Sequence, residues 1–145
     1  MPLIPAVTIA EVWIEEIQPA ELPLALLSNN KTKIVLKPNG NLGNGTSATL
    51  VGGTHIAGEY RISSDSNRPI TINFTSDNSV ANIVLKNFKA RYNGTTYKTF
   101  PRSGLANPGL SGTNLTIGFT TVIGSGASEG GNELSYIIEV TEDQL

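Results

Sequence analysis

The sequence predicts an all-β sandwich, Ig-like or jelly-roll-like, preceded by an N-terminal extension. Three observations carry that expectation. Gly, Ser, Thr and Asn fill 56 of the 145 positions, Pro fills eight more, and only 15% of residues are charged, against about 25% in ordinary globular domains. The apolar share is 39% and rich in Val and Ile, so the chain can build a core and is not a disordered polar tract. From Lys31 onward, short alternating apolar runs are separated by turn residues, the pattern of sandwiches and barrels.

The strands follow in order. Thr32, Ile34 and Leu36 alternate with Lys33, Val35 and Lys37 before Pro38-Asn39-Gly40 turns the chain. Ser47 to Val51 reads as a weak strand that stops at Gly52-Gly53. Tyr60 and Ile62 share one parity, as do Ile70, Ile72 and Phe74 in the next strand. Within Asn82 to Tyr92, Ile83 and Leu85 keep one parity while Phe88, Ala90 and Tyr92 keep the other. A switch of that kind predicts a β-bulge near Lys86-Asn87. Asn93-Gly94 is the type I′ hairpin dipeptide, because both residues tolerate positive φ. Thr95 to Phe100 returns. Leu115, Ile117, Phe119 and Thr121 then form one inward face, and Tyr136, Ile138 and Val140 form the last. Parity places Phe74, Leu85, Phe88, Ile117, Phe119, Tyr136 and Ile138 together in the core, and leaves Trp13, Tyr92, Tyr97 and Phe100 as surface aromatics.

Residues 1–21 are expected to form an extension, with the sandwich over residues 22–145. Thr8-x-x-Glu11 has the form of a helix capping box, and Ile9, Val12, Trp13 and Ile17 have helical spacing. The run is nevertheless built from β-formers, and Pro19 limits any helix to about two turns. The strand reading leads. No basic residue precedes Lys31, so the opening lacks the positive region of a signal peptide. The longest uncharged stretch, Ser103 to Ser128, is too polar for a transmembrane helix.

Reactive chemistry is sparse. Zero Cys removes disulfides, Cys-based zinc sites and thiol catalysis. His55, the single imidazole, lies in a turn-like stretch and makes no metal site alone. Gly126-Ala127-Ser128-Glu129-Gly130 matches the nucleophile elbow G-x-S-x-G, but that motif needs a strand before it and a helix after it. A flexible β–β loop is the better reading. Asp65-Ser66-Asn67 lacks the remaining oxygens of a calcium loop. The expectation is a non-enzymatic protein with no cofactor, and the net charge of −2 argues against a general nucleic-acid binder.

Charge is unevenly laid out. Glu11, Glu15, Glu16 and Glu21 precede every base, and Glu129, Glu133, Glu139, Glu142 and Asp143 follow every base. The ten Lys and Arg lie between Lys31 and Arg102 with only Glu59, Asp65 and Asp77 among them. The bland reading is a solvated surface that neutralises itself within one monomer. The functional reading is complementary self-association. On that reading, the subunit interface comprises Val7, Ile9, Val12, Trp13, Ile14 and Ile17 with Glu11, Glu15 and Glu16 of the extension. It meets Lys89, Arg91 and Lys98 of a basic hairpin in which Lys89 faces Lys98.

Several segments resemble a bacterial secreted, pilin-like β-sandwich family of unknown function. Lys33-Ile34-Val35-Leu36-Lys37-Pro38-Asn39-Gly40 looks like its "strand, then P-x-G" segment, and Ala57-Gly58-Glu59-Tyr60-Arg61-Ile62 like its next strand. Val84-Leu85-Lys86-Asn87-Phe88 resembles its apolar strand ending in Phe, Leu110 to Gly118 its "G-G-T-L-x-V" strand, and Tyr136 to Val140 its closing strand. Glu21-Leu22-Pro23-Leu24-Ala25-Leu26 stands where the family carries L-x-F-G. The resemblance implies a non-enzymatic, cell-surface or extracellular domain and transfers no catalytic residue. The leading expectation is a structural subunit of a filament or pilus-like assembly, a homo-oligomer joined by donor-strand addition. A phage or virion structural protein and a carbohydrate-binding adhesin domain are the alternatives, the last with a surface carbohydrate as partner.

Overall fold

In the computed structural model, the described residues are 11–77, 80–127 and 135–144, and every regular element among them is a strand. In chain order these are β1 (Val12–Gln18), β2 (Leu24–Ala25), β3 (Thr32–Leu36), β4 (Leu50–Gly52), β5 (Gly58–Ser64) and β6 (Ile70–Asp77). They continue with β7 (Ile83–Tyr92), β8 (Thr95–Tyr97), β9 (Arg102–Leu105), β10 (Thr113–Ile123) and β11 (Ser135–Glu142). The larger sheet runs β1-β5-β10-β7-β8, with β3 also paired to β10, and a three-stranded sheet runs β11-β6-β9. All pairings are antiparallel. A separate two-stranded ribbon joins β2 to β4.

The two sheets face each other across the predicted apolar parity. Tyr60, Ile62, Ala90, Tyr92, Leu115 and Ile117 of the larger sheet meet Ile70, Ile72 and Leu105 of the smaller one, all buried. Phe74, Ile138 and Val140 pack against this cluster. A second cluster, Leu36, Leu85 and Phe119, continues the core toward Phe88 and Tyr136. The rings there interlock: Phe74 stacks on Phe88 with centroids 5.1 Å apart, and Phe119 lies 5.7 Å from Phe88 and 5.6 Å from Tyr136.

β10 changes partner along its length. β5 pairs with it as far as Gly58↔Ile117, and β3 takes over from Leu36↔Phe119. Gly118 stands at the junction, where a Cβ atom would lie 2.1 Å from the Leu36 carbonyl oxygen. No side chain fits there. On the other side of β10, the register shifts between Lys89↔Gly118 and Lys86↔Thr120, which is the predicted bulge, with Asn87 at φ +54°. Asn93 (φ +50°) and Gly94 (φ +83°) close the predicted hairpin, giving Tyr92↔Thr95, Arg91↔Thr96 and Ala90↔Tyr97.

Four expectations need correction. Val12–Gln18 is not an extension outside the sandwich but an edge strand of its own sheet, in register with β5 from Val12↔Ser64 to Glu16↔Tyr60. Its β-formers put Val12 and Ile14 against the core, which a helix ending at Pro19 could not do. Tyr92 is not a surface aromatic: the bulge returns it to the interior parity, where it is 1% exposed and its hydroxyl donates to the Ala106 carbonyl at 2.6 Å. Lys98 is not paired with Lys89 in the ladder, because the β7–β8 register ends at Ala90↔Tyr97, where β8 stops. The weak strand expected from Ser47 starts only at Leu50, because Thr46 and Ser47 bond to the edge of β3.

Candidate functional site: two sheet edges and a basic groove

β1 begins where Asp65 fixes it. The Glu11 N–H donates to Asp65 Oδ1 at 2.6 Å, and the Asp65 N–H donates to the Glu11 carbonyl at 3.2 Å. The strand then pairs only with β5, and its far side is an unpaired edge among the described residues. Trp13 and Ile17 are exposed along it, at 43% and 42%. Glu15 and Glu16 are exposed beside them. Val7 and Ile9, the other apolar residues expected at this interface, lie outside the described residues, as do Ser128, Glu129 and Gly130 of the nucleophile-elbow match.

The edge of β3 is closed by contrast. The Gly43 N–H donates to the Val35 carbonyl at 2.7 Å and the Ser47 N–H to the Lys33 carbonyl at 2.8 Å. Thr46 Oγ1 and Ser47 Oγ accept from the N–H groups of Val35 and Lys33, each at 3.0 Å. Loop 41–48 therefore uses up the ladder positions of β3, and Gly43 permits it, since a Cβ there would lie 2.8 Å from Val35 Cγ1.

At the opposite end of the larger sheet, β8 is short and pairs only with β7 among the described residues. Arg91 and Lys98 are exposed and Lys89 is half-buried. The Arg102 guanidinium lies over the Tyr97 ring, 4.7 Å from its centroid. The sheet thus ends in acidic residues at β1 and in a basic β7–β8 hairpin, with Lys89 and Arg91 on β7 and Lys98 just past β8.

Lys89 and Lys98 also meet away from the ladder. They line an open groove of about 490 Å³ together with Lys37, Asn44, Asn87 and Thr120. Lys89 and Lys98 stand out in the sequence as interface residues, whereas Lys37, Asn44 and Asn87 carry no such mark there. The signal for Lys37 was present in its outward parity on β3, but nothing local ties β3 to the β7–β8 hairpin.

The remaining candidates have structural roles. His55 Nδ1 donates to the Gly40 carbonyl at 2.7 Å. No group of three or more His, Asp or Glu that could hold a metal occurs among the described residues. Phe100 packs edge-on against Phe74 with centroids 4.6 Å apart, so it offers no exposed platform. Tyr60 and Tyr136 share a hydrogen bond at 2.5 Å, and burial pushes both phenols above the usual tyrosine range, Tyr60 the further. The β2–β4 ribbon and its flank expose Leu24, Leu26, Leu27, Leu50 and Val51. Comparisons with known protein families, curated proteins and solved structures find no match to this chain.

Proposed function

We propose that this protein is a non-enzymatic structural subunit that assembles head to tail, the open edge of β1 in one copy adding to β8 in the next. The observation that carries this reading is the opposite charge at the two ends of one sheet, Glu15 and Glu16 on β1 at one end and Lys89, Arg91 and Lys98 on and beside the β7–β8 hairpin at the other. β1–β1 pairing would bring Glu15 and Glu16 of two copies together, and β8–β8 pairing would do the same for Lys98, which directly follows β8. Like charges across a strand pair are destabilising. Only the mixed pairing brings unlike charges together, and that interface is heterologous, so it joins copies head to tail and propagates wherever the rotation between copies does not close a ring. β1 and β8 run in the same direction, because each of the steps between them is antiparallel. A copy related by translation therefore adds as a parallel pair. Trp13 and Ile17 supply apolar contact at the junction. The pilin-like pattern of the sequence points the same way.

Each exposed ion pair contributes about 0.2–1 kcal/mol, so charge acts chiefly on rate and partner choice. The test is a charge-reversal mixing experiment followed by light scattering and sedimentation. Glu15→Lys with Glu16→Lys makes both edges basic, and Lys89→Glu with Lys98→Glu makes the β8 edge acidic. Each double variant alone is expected to stay monomeric, and their equimolar mixture to assemble. A wild-type protein that stays monomeric at low salt, or variants that assemble as it does, would overturn the reading.

A further inference from the structure

We infer that the groove between β3 and the β7–β8 hairpin binds an acidic saccharide, one whose rings carry a carboxylate or a sulfate. Lys37, Lys89 and Lys98 converge on it from separate elements, and no acidic side chain among the described residues lines it. Three cations facing one concavity repel each other and give the monomer nothing, whereas an anion placed among them satisfies all three. The volume of about 490 Å³ falls within the range of small-molecule sites.

The neutral groups narrow the ligand class. Asn44 and Asn87 are exposed, and each amide offers both a donor and an acceptor, as sugar hydroxyls require. The bulge carries Asn87 into this position beside Lys89. Val35 lines the same groove and provides apolar surface for the C–H face of a pyranose ring. A nucleic acid would instead call for an exposed aromatic ring on which bases stack. Phe88 is half-buried and already stacked on Phe74.

The inference is independent of the assembly reading. Lys37 and Asn44 belong to the turn and loop that follow β3, away from the β1 and β8 edges, while Lys89 and Lys98 serve both readings. The experiment is calorimetric titration of the Glu15→Lys, Glu16→Lys protein with three probes: a heparin-derived tetrasaccharide, a trigalacturonate and neutral maltotriose. A short oligothymidylate serves as the competing polyanion. Both acidic saccharides are expected to bind and maltotriose to fail, with affinity falling as NaCl rises. Lys37→Ala should weaken binding about two- to fivefold. Removing Lys37, Lys89 and Lys98 together should abolish it, and Lys31→Ala should leave it unchanged. Maltotriose binding as well as the acidic sugars, oligothymidylate binding more tightly than either, or Lys31→Ala weakening binding as much as Lys37→Ala would overturn the inference. Failure of the charge-reversal mixing experiment would not, since the titration uses single chains.

Discussion

Replacing Gly118 with Ala adds one methyl group at the point where β10 passes from β5 to β3. The added Cβ would lie 2.1 Å from the Leu36 carbonyl oxygen and 2.6 Å from the Lys37 carbonyl carbon. Both are backbone atoms, so no side chain can rotate out of the way. Gly118 has no positive φ, which makes the conflict one of space alone. Overpacking a closed site costs about 1–3 kcal/mol, and displacement of a paired strand belongs at the upper end, about 3 kcal/mol. For a domain of this size that corresponds to a fall in Tm of about 10 °C. Thermal and urea unfolding followed by circular dichroism measure it, and amide exchange should quicken over Thr32–Leu36 as β3 loosens. Gly45→Ala is the control. Its Cβ would meet only side-chain atoms, the Val35 Cγ2 methyl at 3.2 Å and the end of the flexible Lys33 side chain at 3.8 Å, so stability should change by no more than about 1 kcal/mol. A Gly118→Ala protein melting within about 2 °C of wild type would refute the partner switch at Gly118.

Phe119 is 4% exposed and touches both Phe88 and Tyr136, so Phe119→Ala should cost about 3–5 kcal/mol in urea unfolding. The folded chain holds the Tyr60 and Tyr136 protons more tightly than the unfolded chain does, because burial penalises the phenolate. Their contribution to stability is whole below about pH 10 and is lost as pH rises above it. Denaturant midpoints measured across that range should fall on the alkaline side, and Tyr60→Phe should flatten the decline.

Much of the local structure was legible in the sequence because its causes lie within a few residues. Alternation put Ile34, Leu36, Ile62, Ile72, Leu115 and Ile117 on interior faces, since successive side chains in a strand point to opposite sides. The parity switch at Lys86-Asn87 and the Asn93-Gly94 turn were readable for the same reason: each depends on the φ that its own residues tolerate. Partner choice was not readable. That Val12–Gln18 pairs with β5, and that β10 leaves β5 for β3 at Gly118, depends on packing between segments far apart in the chain. The charge asymmetry could be counted from the sequence, but which edge carries each sign follows only from the order β1-β5-β10-β7-β8. Lys37, Lys89 and Lys98 share a groove because β3 and β7 flank the same strand on opposite sides. Alternation specifies which way a side chain faces and is silent about its neighbours across the sheet, so the strands are written locally and the surfaces they build are decided by the tertiary fold.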